Sequence, residues 1–242
     1  MILNLETVDS AVWGRNVLSL SHLSVEDDVG RLEEEYLHHY NPVYVSARIP
    51  LEEISIISNF EKNGFSLIEC QLRLLVRLTK ECDVTSFNCR LDRISTKAQL
   101  NEVLAITRSS VIHDRLSVDD AVPNGVSGRR YEAYVSQSFE REDEEVWGLF
   151  DADNEQILAY RTHRLTAPHE ALLLLGGVRP ELKGSGVGVI SAYFYLNQLR
   201  LSGIKKAITH ISLINKPIFD LEVTRLGFRY QRVFAVLRKV YG

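Results

Sequence analysis

The chain has 242 residues, 45% of them apolar and 25% charged, a globular composition with enough apolar mass for one large domain or two modest ones. A formal charge of −4 excludes a sequence-independent nucleic-acid binder, which needs a surplus of clustered cations. No run of ~18 apolar residues offers a membrane span, Met1-Ile2-Leu3-Asn4-Leu5-Glu6 has neither the basic nor the apolar part of a signal peptide, and Cys70, Cys82 and Cys89 lack CxxC spacing, so the expectation is a cytoplasmic protein with free thiols and no metal.

In chain order, Tyr44-Val45-Ser46-Ala47-Arg48 reads as a strand, followed by Pro50, a helix over 51–63, Gly64-Phe65 and a strand over 67–78. Thr96 with Gln99 forms a capping box for a helix that carries Leu100, Val103, Leu104 and Thr107 on one side. This places a boundary near 92–96, between an N-terminal α/β lobe (1–94) and a second domain (95–242). The acidic run Glu140-Arg141-Glu142-Asp143-Glu144-Glu145 reads as a solvated connection. Strands at 145–150 and 156–161 flank the polar turn 151–155, and Thr166-Ala167-Pro168-His169 breaks the chain before a leucine-rich strand, so 145–178 is a three-strand meander. Val189, Ala192, Tyr193, Leu196 and Leu199 or Leu201 give the next helix one apolar face, and Ser202-Gly203 ends it. A strand at 206–213 leads through Asn215-Lys216-Pro217 to a short helix ending at Leu226-Gly227-Phe228, then a strand at 231–237. The order strand, proline, helix, Gly-Phe, strand thus occurs twice. The N-terminal lobe reads as a degenerate copy of the C-terminal one, with chance recurrence of a common unit as the alternative.

The most informative segment is the run Gly176-Gly177-Val178-Arg179-Pro180-Glu181-Leu182-Lys183-Gly184-Ser185-Gly186-Val187-Gly188, which joins a strand to a helix. Glycines before a helix N-terminus leave backbone N–H groups open to an anion and add the partial positive charge of the helix end. A Walker loop needs GxxxxGK[ST], but Lys183 precedes its glycine; a dinucleotide fingerprint needs a third glycine where Val189 stands. Tight packing at a strand-to-helix turn is the alternative use for such glycines.

The segment resembles the coenzyme A loop of the GNAT superfamily of acyltransferases, pattern [QR]xxGx[GA], with Lys183 at the Gln/Arg position and Gly186 and Gly188 at the small positions. Asn215 and the Gly227-Phe228 helix end resemble the last conserved block of these enzymes. The segment Ser110-Val111-Ile112-His113-Asp114-Arg115, then Arg130-Tyr131-Glu132-Ala133-Tyr134-Val135, together with Asp9-Ser10-Ala11-Val12-Trp13-Gly14, is similar to elements of the dTDP-fucosamine acetyltransferases. The resemblance implies an α/β (α+β) GNAT fold, with a mixed, mostly antiparallel central sheet flanked by helices. It also implies acetyl-coenzyme A as cosubstrate, held by Gly177, Val178, Lys183, Gly184, Ser185, Gly186, Val187, Gly188 and Asn215. The acceptor implied is a small-molecule amine such as a dTDP-4-amino-4,6-dideoxyhexose, met by Arg115, Arg130 and Tyr131. No nucleic acid, membrane or metal partner is expected, and a homodimer is compatible.

The chemistry asks for an oxyanion site in the strand at 175–178, an acid for the leaving thiolate and a base for the amine. In the resembling enzymes the acid is a Tyr four residues before the helix-ending glycine, a position held here by Val223, with Glu222 and Thr224 beside it. His210 and Glu170 are the candidate substitutes, each with a structural alternative, a wall histidine and a solvated strand end. Three readings stay open: an amino-sugar-nucleotide acetyltransferase, an enzyme for another amine (peptide N-terminus, amino acid or antibiotic), and a silent acyl-coenzyme A binder.

Overall fold

The computed structural model describes residues 2–110, 115–123 and 125–242. The first half runs β1 (Ile2–Leu5), α1 (Thr7–Trp13), β2 (Val17–Ser21), α2 (Val29–Tyr40), β3 (Tyr44–Pro50), α3 (Ile54–Lys62) and β4 (Ser66–Arg77). Helical spacing puts Val29, Leu32 and Tyr36 of α2, and Ile56 and Phe60 of α3, on single apolar stripes. These close over the alternate residues Val45, Ala47 and Ile49 of β3.

The second half runs β5 (Cys89–Arg93), α4 (Lys97–Ser110), α5 (Arg115–Val118), α6 (Val126–Glu140), β6 (Glu144–Asp151), β7 (Ile157–Ala167), β8 (Glu170–Val178), α7 (Val187–Leu201), β9 (Lys206–Ser212), α8 (Lys216–Phe219) and β10 (Arg229–Val240). A 3₁₀ turn at Pro180–Leu182 follows β8, and a π-helical turn at Asp220–Arg225 continues α8. The capping box forms as read: the Gln99 N–H donates to Thr96 Oγ1 and the Thr96 N–H to Gln99 Oε1, both at 3.2 Å. Among the described residues no helix is long and apolar enough to cross a membrane.

All ten strands form one sheet, mostly antiparallel, in the order β1-β2-β3-β10-β4-β9-β8-β7-β6-β5. Two neighbouring pairs are parallel, β2 with β3 around α2 and β8 with β9 around α7. Each half sends its last strand across the midline: β10 pairs with β3, and β4 pairs with β9. A continuous hydrogen-bonded sheet spans the boundary expected near residue 94, and β5, which precedes that boundary, pairs with β6.

β8 and β9 stay paired only from Glu170↔Lys206 to Leu173↔Thr209. Beyond that they diverge, and the gap opens into a cavity of about 820 Å³. One part of the acidic run departs from the solvated reading. Glu144 is 3% exposed because Arg164 (2.5 Å) and the Ser138 hydroxyl hold its carboxylate at the start of β6.

Candidate active site

The glycine turn at the head of α7 is built for open donors. Gly184 and Gly186 have φ of 81° and 91°, a left-handed conformation that side chains rarely adopt, and a Cβ on either would meet nothing within 4 Å. Gly186 is the N-cap and offers no side-chain acceptor to the first turn. Among the described residues no acceptor meets the N–H groups of Gly184, Gly186 and Gly188, so the turn presents unpaired donors at a positive helix end. Lys183 lines the cavity and donates from Nζ to the Ser109 carbonyl at 2.7 Å, which pins it beside the turn. The Ser185 hydroxyl donates to Leu182 O at 2.7 Å, and Val187 packs inward against Leu149 and Leu158. These two shape and anchor the turn.

Gly177 has a different reason to be glycine: a Cβ there would lie 2.6 Å from Tyr160 Cε1 and 2.9 Å from Ser110 Oγ. Packing against α4 fixes that residue, and its backbone still lines the cavity with Val178, Gly188 and Asn215. Asn215 also caps α8, its side chain accepting from the Ile218 N–H at 3.3 Å.

Beneath the turn lies Arg161 of β7, half-buried, whose guanidinium donates to the Gly188 carbonyl at 2.9 Å and so ties the first turn of α7 to the sheet. Burial pulls the Arg161 pKa below its ordinary value, with Glu222 pulling the other way. Glu222 sits in the π-helical turn, 6% exposed, with Oε2 unpartnered and its side chain on the cavity wall. Burial pushes its carboxyl up to about 7, and the attraction of Arg161 is too weak to restore the ordinary value. π-turns inserted in helices recur at functional sites, and this one carries the group with the proton affinity a general acid needs near neutrality. Tyr195 also lines the cavity, but its hydroxyl is engaged with His163 Nδ1 at 2.7 Å and burial raises its pKa well above 10, which makes it the weaker acid.

The residues read from the sequence separate here. His210 lines the cavity on β9, and burial, then Arg48 and Arg73, lower its pKa to about 4, so it is a neutral imidazole at pH 7. Glu170 stands at the opposite end of β8, where its carboxylate accepts from Thr166 Oγ1 at 3.0 Å, away from the cavity. Val223 packs into the core with Leu72, Tyr195 and Phe228, so the position expected to hold a tyrosine is turned into the interior. The adjacent Glu222 is the group that faces the gap.

Arg130 lines the cavity, and its Nε donates to Asp9 Oδ1 at 2.7 Å, bringing the two resemblance elements 9–14 and 130–135 into contact. Burial opposes the Arg130 charge, but Asp9, Tyr131 and Tyr134 outweigh it and raise its pKa. Tyr131 lines the cavity beside it, the Arg130 guanidinium 5.3 Å from its ring centroid. Arg115 opens α5, but its side chain lies outside the described residues, as do 111–114. No group of three His, Cys, Asp or Glu side chains among the described residues is placed to hold a metal ion.

No protein-family model and no curated protein matches the sequence. Solved structures do match its shape. A GCN5-related N-acetyltransferase from Sphaerobacter thermophilus superposes with a TM-score of 0.67 at 13% identity, over 93% of this chain and 73% of that one. A GCN5-related N-acetyltransferase from Kribbella flavida gives 0.64 at 13% identity, over 94% and 82%. A tandem GNAT protein from the clavulanic acid biosynthesis pathway gives 0.61 at 14% identity, over 93% and 75%. The fold is that of the GCN5-related N-acetyltransferases. Within this N-acetyltransferase fold, the diverging β8 and β9, the glycine turn and Glu222 surround a single cavity.

Proposed function

We propose that the chain is an acetyl-coenzyme A-dependent N-acetyltransferase for a small amine. One observation carries the reading: the donor-rich turn at Gly184–Gly186–Gly188 opens into the gap between β8 and β9, where Glu222 waits with its carboxyl raised to about 7. The residues fit the cosubstrate, since an anion can approach N–H groups that no side chain covers, with Lys183 alongside. Bound there, acetyl-coenzyme A supplies an activated acyl group.

The protein then has three tasks. It positions an amine nitrogen against the thioester carbon, which supplies most of the rate. It polarises the carbonyl through N–H groups of β8 beyond Leu173, where pairing with β9 has ended; the Leu175 N–H is excluded, because it donates to Thr162 Oγ1 at 3.0 Å. As the C–N bond forms and the C–S bond breaks, Glu222 gives its proton to the departing thiolate, and the proton lost by the nitrogen returns to the Glu222 carboxylate through water. His210, neutral at pH 7, lines the approach.

The acceptor suggested by the resemblance is a dTDP-4-amino-4,6-dideoxyhexose, with Tyr131 as a sugar or base contact and Arg115 as the cation for its phosphates. Arg130 lines the cavity beside Tyr131, its Nε held by Asp9. We also read the first half as a degenerate copy of the second, on the strength of their matching β-α-β-α-β order.

The test is calorimetry with acetyl-coenzyme A followed by thiol release on adding amines. Saturable binding, and thiol release with some amine, are expected; an absence of binding contradicts the proposal. At one hundred times the dissociation constant the ligand adds about 2.7 kcal/mol to stability, visible as a thermal shift.

A further inference from the structure

Among the described residues three carboxyl groups line the cavity. Glu222 is the acid, and Glu144 is held by Arg164 and Ser138. Glu69 of β4 is left. It is 6% exposed; Oε1 accepts from Gln71 Nε2 at 2.7 Å, while Oε2 has no hydrogen-bond partner among the described residues. A buried carboxylate oxygen left unpaired is costly, and it persists where a reactant completes it.

Strand register sets where Glu69 stands. The last β8–β9 pair is Leu173↔Thr209, and continuing that parallel register puts Gly176 level with Ser212 inside the gap. Ser212 pairs with Gln71 across β9 and β4, so the hydrogen-bonded Gln71 and Glu69 border the stretch of β8 whose N–H groups polarise the thioester carbonyl. Strand alternation then sets the side. Leu72 and Leu74 share a core cluster with Val223 and Leu226, so Glu222 enters the gap from that face. Glu69 and Gln71 project from the opposite face, as does His210, which pairs with Arg73. The two carboxyl groups reach the gap from opposite faces of the sheet, which suits one to the departing sulfur and the other to the arriving nitrogen.

The charges on Glu69's face favour loss of a proton from nitrogen. An aliphatic amine arrives as an ammonium ion and has no lone pair for attack until it gives up a proton. Burial, then Arg48 and Arg73, oppose positive charge at His210, and they oppose an ammonium ion beside it for the same reason. A proton taken by His210 would add a third cation to this face, whereas a proton taken by Glu69 removes a buried charge.

We infer that Glu69 is a catalytic residue, the base that takes the first proton from the acceptor nitrogen, contributed by the first half of the chain through β4. The steps balance. The ammonium ion gives one proton to Glu69 Oε2 and becomes the amine that attacks the thioester carbon. Glu222 protonates the thiolate and recovers the second nitrogen proton through water. Glu69 releases its proton to solvent as products leave, so each turnover of an ammonium substrate discharges one proton. The inference rests on the N-acetyltransferase reading.

The test compares ethylamine, an ammonium ion at neutral pH, with trifluoroethylamine, which is close to it in size and largely uncharged there. Thiol release from acetyl-coenzyme A gives kcat/KM for each amine in the wild type and in Glu69→Gln. The variant is expected to lose about 10²- to 10⁴-fold with ethylamine and less than about ten-fold with trifluoroethylamine, which needs no base for a first proton. Acetyl-coenzyme A titration of the variant reports that it is folded. Equal losses with the two amines would show a structural or orienting role and overturn the inference, as would an unchanged rate with ethylamine. A wild type that binds no acetyl-coenzyme A, or releases no thiol with either amine, would instead sink the N-acetyltransferase reading.

Discussion

α2 and α7 occupy equivalent places, each crossing between two parallel strands, yet their N-termini are finished in opposite ways. Before α2 the chain reads Ser24-Val25-Glu26-Asp27-Asp28; the Asp28 side chain accepts from the Arg31 N–H at 3.1 Å, and Asp27 accepts from the Ser24 N–H at 2.7 Å. Before α7 stand Gly184-Ser185-Gly186; Gly186 at the cap has no side chain to accept with, and the Ser185 hydroxyl accepts only from the Val187 N–H, at 3.4 Å. The first helix satisfies its own end with carboxylates, gains stability from the cap and repels anions. The second gives up that stability and leaves backbone donors open. The difference lies in a few residues at a helix start.

The largest expected effect probes whether the halves stand alone. Asp9 of α1 and Arg130 of α6 form a pair with side-chain exposures of 4% and 13%. Asp9→Ala strands a buried cation and is expected to cost about 3–5 kcal/mol in urea denaturation; a loss near zero would mean that the halves are held by other contacts. Next comes Glu222→Gln. Thiol release should fall about 10²- to 10⁴-fold, the scale of general acid catalysis. The wild type's decline in rate as pH rises through about 7 should vanish in the variant.

The same variant has a stability signature. The folded Glu222 carboxyl keeps its proton up to about 7 and an ordinary one loses it near 4.5, so between these values the unfolded chain binds fewer protons and wild-type stability falls as pH rises. Glu222→Gln should therefore be relatively stabilised by up to about 3 kcal/mol above pH 7 and much less near pH 4, read from melting temperatures across that range. Gly177→Ala, with its Cβ 2.6 Å from Tyr160, should cost about 1–3 kcal/mol as an overpacking change. The smallest effect belongs to the first half: Asp28→Ala removes the cap of α2 for about 1 kcal/mol, and acetyl-coenzyme A affinity should not move.

What the sequence disclosed follows from how local the physics is. The glycine turn was legible because left-handed backbone at 184 and 186 demands glycine, and the Thr96/Gln99 box because its partners are three residues apart. Glu222 stood beside Val223 as an ordinary helical glutamate; a π-helical turn and burial turn it into an acid, and neither leaves a pattern in the sequence. Glu170 starts the leucine-rich strand, and the gap opens at that strand's other end, a placement set by sheet pairing and not by local sequence. The Asp9–Arg130 pair spans 121 residues, and the crossing of β4 and β10 joins strands far apart in the chain, so both belong to tertiary structure alone.

On the proposed function, acetyl-coenzyme A binds at the glycine turn of α7. Calorimetric titration of acetyl-coenzyme A into the wild type and into Gly186→Asp, which gives α7 the acidic cap of α2, tests it directly. One site per chain is expected in the wild type and at least about a hundred-fold loss in the variant, because a carboxylate faces the open donors and Asp is strained at a φ of 91°. Equal affinity in the two proteins would contradict it.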